Sequence, residues 1–428
     1  MRRYFGNREV AKQCHILTML EEQAAKPHLS FHTPGHKLCG YDITELEYSD
    51  NLSCPRGIIL RAEQDIAAIL GAAASFILTD GSTAGVLSML YALKRTGCTR
   101  VAAPVLSHKS FFNGCALLGL TPVLFETPQR AVPCPLTVAD VEEALTEADA
   151  LFITSPDYYG NVAELQGLRA LCDGQGKPLI IDGAHGGHLH FDRKRYAGAY
   201  ADLWVDGVHK SLPALTQGSV VSAREKYAAA LKNGVDIFRT TSPSYPIMAS
   251  VEYAVKYPQN KPLEGWVQRL KTQRAYLYDN EDYTKLCVFT ANGFALEKEG
   301  IKRGIYPEFA TENIVCFYLS PAQKEEDVQT LLAFLDEMSA EGRLLAEKDV
   351  KRIPAPTKLY NIEGCEVVKV PLQQASGRIC ARVCGVFPPC VPLIRTGEPI
   401  TAEKLRALAE AANVFGVENG EIWVVKKE

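Results

Sequence analysis

The sequence has no uninterrupted apolar run near the roughly 20 residues that cross a bilayer, so no membrane partner is expected. It has no excess of basic charge: Lys plus Arg number 46 against 50 for Asp plus Glu, a formal net charge of -4. A nucleic-acid partner, which a basic face would have to hold, is therefore not expected. A tight Cys-x-x-Cys pair is also missing. The 13 cysteines are odd in number and scattered, which reads as reduced cytoplasmic thiols rather than a disulfide framework. Cys380, Cys384 and Cys390 lie near one another, but without a tight pair they do not make a zinc pattern, and no metal is expected. The N-terminal MRRYFGNREVAKQCHIL carries two arginines with no apolar stretch behind them, so no signal peptide is expected. Internal repeats and low-complexity tracts are absent as well.

What is present is a globular composition, 47% hydrophobic and 22% charged over 428 residues. That length allows a large core and more than one domain. From about residue 57, helical and strand-like segments alternate. Helices are predicted over 58–70, from 82 to 93, and over 110–118, 138–148 and 165–172. Strands are predicted at 75–79, 100–103, 122–125, 150–154, 178–181, 203–205 and 219–222. Short strands separated by helices give an α/β fold with a mostly parallel sheet covered on both faces. After about residue 290 the pattern changes to a strand at 313–319 and an amphipathic helix at 324–338, which fits a smaller α+β unit. The expected division is an N-terminal helix and arm (1–50), a large domain (51–290) and a small C-terminal domain (291–428).

Parallel sheets place ligands at the carboxyl ends of their strands, and several such ends carry polar residues here. Asp80-Gly81-Ser82-Thr83 opens a helix, where Gly81 permits close backbone approach and Ser82 and Thr83 offer hydroxyl and N–H groups to a phosphate. An ordinary N-cap and tight turn would look the same. His108, in Ser107-His108-Lys109-Ser110, offers a flat ring for stacking, or is a plain loop histidine. Asp182 ends the apolar run Leu179-Ile180-Ile181 and is followed by His185. A buried carboxylate there needs a cation, and a protonated ring nitrogen would supply one. His209-Lys210 falls between two apolar strands, and an amine in a partly dry site is a nucleophile toward carbonyls. Each residue alone has an ordinary structural reading. Together they supply a phosphate cradle, a stacking ring, a partner for a pyridinium and a Schiff-base amine, which is what pyridoxal 5'-phosphate needs. A competing reading makes Asp182, His185, His188 and His190 metal ligands, but it leaves Lys210 and the Ser82 loop without a role.

These segments resemble the Orn/Lys/Arg decarboxylase family, in its short bacterial form, within the aspartate-aminotransferase fold (type I) of pyridoxal-phosphate enzymes. The resemblance runs from about Phe31 to Glu398. It includes Thr33-Pro34-Gly35-His36-Lys37, Asp80-Gly81-Ser82-Thr83-Ala84-Gly85, Ser107-His108-Lys109-Ser110 and Asp182-Gly183-Ala184-His185-Gly186. It continues through the run from His209 to Gly218, through Thr240-Thr241-Ser242-Pro243-Ser244-Tyr245, and through Phe387-Pro388-Pro389 and Gly397-Glu398. The run from His209 to Gly218 is the most specific.

The resemblance implies that Lys210 carries the cofactor and that Asp182 pairs with its ring nitrogen. It also implies that His108 stacks on the ring, that Gly81, Ser82 and Thr83 hold the phosphate, and that His185 lies near the ring. Lys210 or His209 would return a proton to Cα, and Thr240–Tyr245 would complete a homodimer interface. The implied reaction is decarboxylation of arginine, lysine or ornithine to a polyamine-type product. Aminotransfer, another amino-acid lyase reaction, or cofactor binding without catalysis would use the same machinery. The sequence departs from the family in having Gly207-Val208 where Ser-Thr is usual, Asp157 for Thr and Cys390 for Gly. Arg382 stands near an expected acidic residue. Glu398 is a candidate partner for the distal cation of a basic substrate, and Arg382, if it faced the pocket, would favour an acidic or neutral one.

Overall fold

The computed structural model describes residues 5–37, 40–128, 130–350, 362, 364–386, 392–411 and 413–426. The Phe387-Pro388-Pro389 motif and Cys390 lie outside the described residues.

Seven strands form the central sheet: β1 (Ala74–Leu78), β2 (Arg100–Pro104), β3 (Thr121–Phe125), β4 (Ala150–Thr154), β5 (Leu179–Gly183), β6 (Leu203–Asp206) and β7 (Ser219–Ala223). Their spatial order is β1-β7-β6-β5-β4-β2-β3. The strands from β2 to β6 pair in parallel, and β7 is antiparallel to both its neighbours. The helices in chain order are α1 (Arg8–Ala11), α2 (His15–Ala24), α3 (Ile58–Leu70), α4 (Gly81–Arg95), α5 (Lys109–Leu118), α6 (Val138–Thr146) and α7 (Leu165–Gly174). They continue with α8 (Val208–Ser211), α9 (Glu225–Phe238), α10 (Tyr245–Lys256), α11 (Lys261–Gln273), α12 (Gly293–Lys302), α13 (Glu325–Ala340) and α14 (Ala402–Glu410).

Both faces of the sheet are dry, and the strands show it residue by residue. Leu151, Ile153, Leu179, Ile181 and Trp204 enter the core that also holds α2, α3 and α10, while Phe152, Ile180, Leu203 and Val205 enter the core under α4 and α9. Burying each such side chain contributes about 1.5–3 kcal/mol. The mostly parallel α/β architecture expected from the sequence is therefore present. One part of the chain escapes the alternation. α10 buries nine of its twelve residues, so it has no polar face to mark a helical period. Buried Glu252 on α10 takes the backbone N–H groups of His15 and Ile16 at 2.7 and 2.9 Å, which ties the first turn of α2 to the main body.

A second core gathers α11, α12 and α13 around β8 (Lys285–Phe289), β9 (Phe309–Ala310) and β10 (Ile314–Tyr318), in the order β8-β10-β9. β8 and β10 are antiparallel, with Lys285 directly opposite Tyr318. A third core joins β11 (Val367–Pro371), β12 (Cys384–Val386), β13 (Pro392–Ile394), β14 (Val414–Phe415), β15 (Val417–Glu418) and β16 (Glu421–Val425) with α14. It reaches back to the central sheet through Arg395 Nη1, 3.4 Å from Glu126 just beyond β3, and through Phe415, whose ring lies 5.5 Å from the Lys109 ammonium.

Candidate active site

The ends of β1, β2, β4, β5 and β6 and the start of β7 share one edge of the sheet, and the singled-out residues gather there. Lys210 sits on α8, a single turn directly after β6, and its Nζ lies 3.0 Å from Nε2 of His185, in the loop after β5. A lysine ammonium only donates, so Nε2 accepts and the imidazole proton falls on Nδ1. That Nδ1 is buried and meets no hydrogen-bond partner among the described residues. The ring is held between Tyr158, edge-on at 4.7 Å, and Tyr318, edge-on at 5.7 Å. Burial first, and the Lys210 and Lys285 cations second, hold His185 well below the ordinary imidazole range.

Asp182 is buried at the end of β5, and Oδ1 accepts the Ala184 N–H at 3.1 Å. Burial raises its pKa and the nearby Lys210 cation pulls it back. His108 caps α5, its Nδ1 accepting the Ser110 N–H at 3.2 Å, which leaves the proton on Nε2. Its pKa falls to about 3, mainly by burial and then by the Lys210 cation, so the ring is neutral and flat. His209 Nδ1 lies 2.9 Å from the Gly218 carbonyl. A carbonyl only accepts, so His209 keeps its lone pair on Nε2. Gly81 adopts φ +75°, and its N–H donates to Gln217 O at 3.0 Å. The N-cap Asp80 makes no side-chain bond to the first turn of the fifteen-residue α4, whose N–H groups point into this corner. Ser82 Oγ lies 3.3 Å from Ser219 Oγ, and Thr83 is exposed.

These residues fit pyridoxal phosphate on three independent grounds. The buried Asp182 carboxylate calls for a cation, the buried His185 Nδ1 calls for an acceptor, and the start of α4 offers a phosphate site beside Ser82. The Gly207 departure also has a physical reason. A Cβ there would come within 2.5 Å of the Ala184 carbonyl and 2.9 Å of Ser82 Oγ, so α8 approaches the loop after β5 more closely than any side chain would allow. Asp157 organises the loop after β4. Oδ1 accepts the N–H groups of Tyr159 and Asn161 at 2.8 and 2.9 Å, and burial lifts its pKa to about 6.

The four residues of the metal reading do not converge. His188 faces Asp282 at 2.8 Å, His190 bonds the Gly187 carbonyl at 2.7 Å, and His185 meets Lys210, so the four form no ligand cluster. Among the described residues, His15, Asp65 and Glu252 do come together. The Lys256 ammonium already stands between two of them, 2.6 Å from Asp65 and 2.9 Å from Glu252.

Glu398 is buried too, but its carboxylate accepts from Arg395 Nε at 3.2 Å and from Lys404. Its charge is already balanced within the third core, and this opposes a role as partner of a substrate cation. Arg382 is exposed and stacks on Trp423, 4.4 Å from the ring centroid.

Sequence reasoning missed Tyr158, Tyr318 and Asp206. Tyr158 stood in the Ser-Pro-Asp-Tyr-Tyr-Gly run and could have been singled out. Tyr318 arrives from the second core with no local signal. Asp206 is a buried acid whose Oδ2 accepts the Tyr196 hydroxyl at 2.7 Å and whose pKa burial lifts to about 7. It reads in sequence as one more strand residue.

A parallel sheet with a lysine, an aspartate and two histidines converging at its carboxyl edge defines a pyridoxal-phosphate enzyme of fold type I. The chain belongs to the Orn/Lys/Arg decarboxylase family, whose major-domain model matches residues 22–292. It is 28% identical to the uncharacterized protein YaaO of Bacillus subtilis, over 96% of each chain. It is 25% identical to an arginine decarboxylase of the same organism, over 91% of this chain and 92% of the other. Among solved structures, a lysine decarboxylase of Francisella novicida matches with a TM-score of 0.74 and 17% identity, over 96% of this chain and 81% of that one. The same fold is seen in neighbours solved with pyridoxal phosphate.

Proposed function

We propose that the protein decarboxylates a basic amino acid, arginine before lysine or ornithine, to the corresponding amine. Family membership supports the reaction, and full-length relatives named arginine decarboxylase support the order of substrates. The observation that carries the site is the Lys210–His185 contact of 3.0 Å beside the buried Asp182. When bound, the cofactor's ring takes up the electron pair left as the Cα–carboxylate bond breaks. Lys210 would anchor it, Asp182 would hold the proton on the ring nitrogen, and His108 would offer its neutral ring to the flat face. Gly81, Ser82 and Thr83 would hold the phosphate at the first turn of α4. The proton given back to Cα comes from Lys210 Nζ, or from His209 Nε2 once that lone pair has taken up a proton.

The test is to offer the holoenzyme ornithine and each of the twenty common amino acids, measuring CO₂ and keto acid together. CO₂ from the basic set alone is the expected result. Keto acid instead would make the protein an aminotransferase, and no product from any amino acid would make it a cofactor-binding relative.

The proposal includes a cytoplasmic homodimer and a polyamine-type product. No helix among the described residues is long and apolar enough to cross a membrane. The Thr240–Tyr245 segment, proposed to complete the partner's site, is anchored beside the phosphate loop by Thr240 N–H to Asp80 Oδ2 at 3.3 Å, while Thr241 and Ser242 stay exposed. Mixing inactive Lys210→Ala chains with chains inactivated by Ser242→Trp should restore part of the activity. A fully active monomer in sedimentation would reject the shared site.

A further inference from the structure

Behind His185 lies a cluster of buried charge that the proposed reaction does not use. Lys285 begins β8 and is fully buried. Its ammonium lies 2.8 Å from Thr284 Oγ1 and 3.5 Å from Asp282 Oδ2. Asp282 is itself fully buried. Its Oδ1 accepts the N–H and hydroxyl of Thr284 at 2.8 and 2.7 Å and lies 2.8 Å from His188 Nε2. A buried ammonium needs compensation, and a second source of it is the face of an aromatic ring. Lys285 has one: its Nζ lies 4.4 Å from the centroid of Tyr318, the residue directly opposite on β10. The Tyr318 hydroxyl in turn donates to the Tyr158 carbonyl at 2.8 Å. Tyr158 and Tyr318 are the two rings that hold His185. Gly160 closes the same contact. Its φ is +88°, and a Cβ there would stand 2.8 Å from Asn280 and 3.0 Å from Lys285.

We propose that Lys285 is a positioning residue for His185, acting through the ring of Tyr318. The second core thereby reaches the reacting edge of the central sheet. The cross-strand pair Lys285–Tyr318 fixes one wall of the imidazole, and the Tyr318 hydroxyl fixes the loop that supplies the other wall, Tyr158. The cation also acts through space. The charged groups acting on His185 include Lys210, Lys285 and Asp282, and the neutral His108 imidazole lies near as well. The Lys210 and Lys285 cations disfavour a proton on His185, and the Asp282 carboxylate favours one. Neutral His185 keeps its Nε2 lone pair turned toward Lys210. The inference rests on Lys210 being the cofactor-bearing lysine, but its first readout does not.

That readout is the titration of His185 in protein labelled with [¹³Cε1]histidine, its resonance assigned by loss in His185→Asn. Lys285→Met keeps the length of the side chain and removes the charge. The His185 resonance is expected to titrate higher by about one pH unit, the size of one lost buried cation. Lys285→Arg is expected to restore the wild-type position. In the holoenzyme, the midpoint of the visible-absorbance pH titration should rise with it. kcat should fall about tenfold while KM stays within about twofold, as for a residue that acts on the reacting edge and not on substrate binding.

Leu332→Ala removes a buried side chain from the core on the other face of the β8–β10 sheet and controls for plain destabilisation. Should Lys285→Met fail to fold, Tyr318→Leu removes the ring face instead, and it too is expected to move the His185 resonance. An unmoved His185 resonance in a folded Lys285→Met or Tyr318→Leu protein overturns the proposal, as does an equal movement in Leu332→Ala. If His185 moves but no visible absorbance appears in any variant or in wild type, the cofactor reading fails and the positioning role stands.

Discussion

Lys210→Ala is expected to lose at least about a thousandfold in turnover while keeping its fold. The side chain is only half-buried, and α8 does not depend on it. The turn is closed by backbone bonds, Lys210 N–H to Gly207 O at 2.9 Å and Leu212 N–H to Val208 O at 2.8 Å, and neither needs the amine. What is lost is the amine set 3.0 Å from His185 Nε2 at the sheet edge. Wild-type protein should be yellow, and borohydride reduction should fix one pyridoxyl group per chain on Lys210. Mass spectrometry finding the label on another lysine, or on none, would overturn the site, and so would near-normal turnover in Lys210→Ala.

Asp182→Asn should cut turnover about a hundred- to a thousandfold, again with folding intact. Asparagine has the same shape and still accepts the Ala184 N–H through its carbonyl oxygen. It loses the negative charge that keeps the ring nitrogen protonated. A second effect should appear without cofactor. Burial raises the Asp182 pKa in the folded chain above its unfolded value, so the native state holds that proton more tightly. The stability tied to that proton is full at low pH and is lost as pH rises through the folded pKa. Cofactor-free Asp182→Asn has no such loss. Its Tm relative to wild type should therefore increase as pH rises above the ordinary carboxylate range, and the difference should shrink when cofactor supplies its cation. Wild-type turnover in the variant would make Asp182 a structural residue only.

Much of this protein was legible because its chemistry follows strand ends. Asp182, His185, His209 and Lys210 lie just after apolar runs, and a parallel sheet turns the end of every such run toward one edge. Alternation therefore predicted both the sheet and the neighbourhood of these residues. Gly81 was legible for a similar local reason, a strand-to-helix turn where the backbone must come close, and the structure adds its left-handed φ of +75°.

Other features had no local cause. The helix α10 is buried nearly all round, so its period is silent in sequence, and it still supplies the Glu252 carboxylate that fastens α2. Glu398 read either as a partner for a substrate cation or as a solvated turn residue, yet it is buried and paired with Arg395 and Lys404, and only folding brings Lys404 to it. Tyr318 and Lys285 are far from the site in sequence, and they meet because β8 and β10 pair in one register. The sequence by itself determined the chemistry available at the sheet edge, since the polar residues that follow each apolar run are set by local pattern. Only the tertiary structure decided which charges are already paired and which ring braces His185, because those depend on contacts between cores that local pattern does not encode.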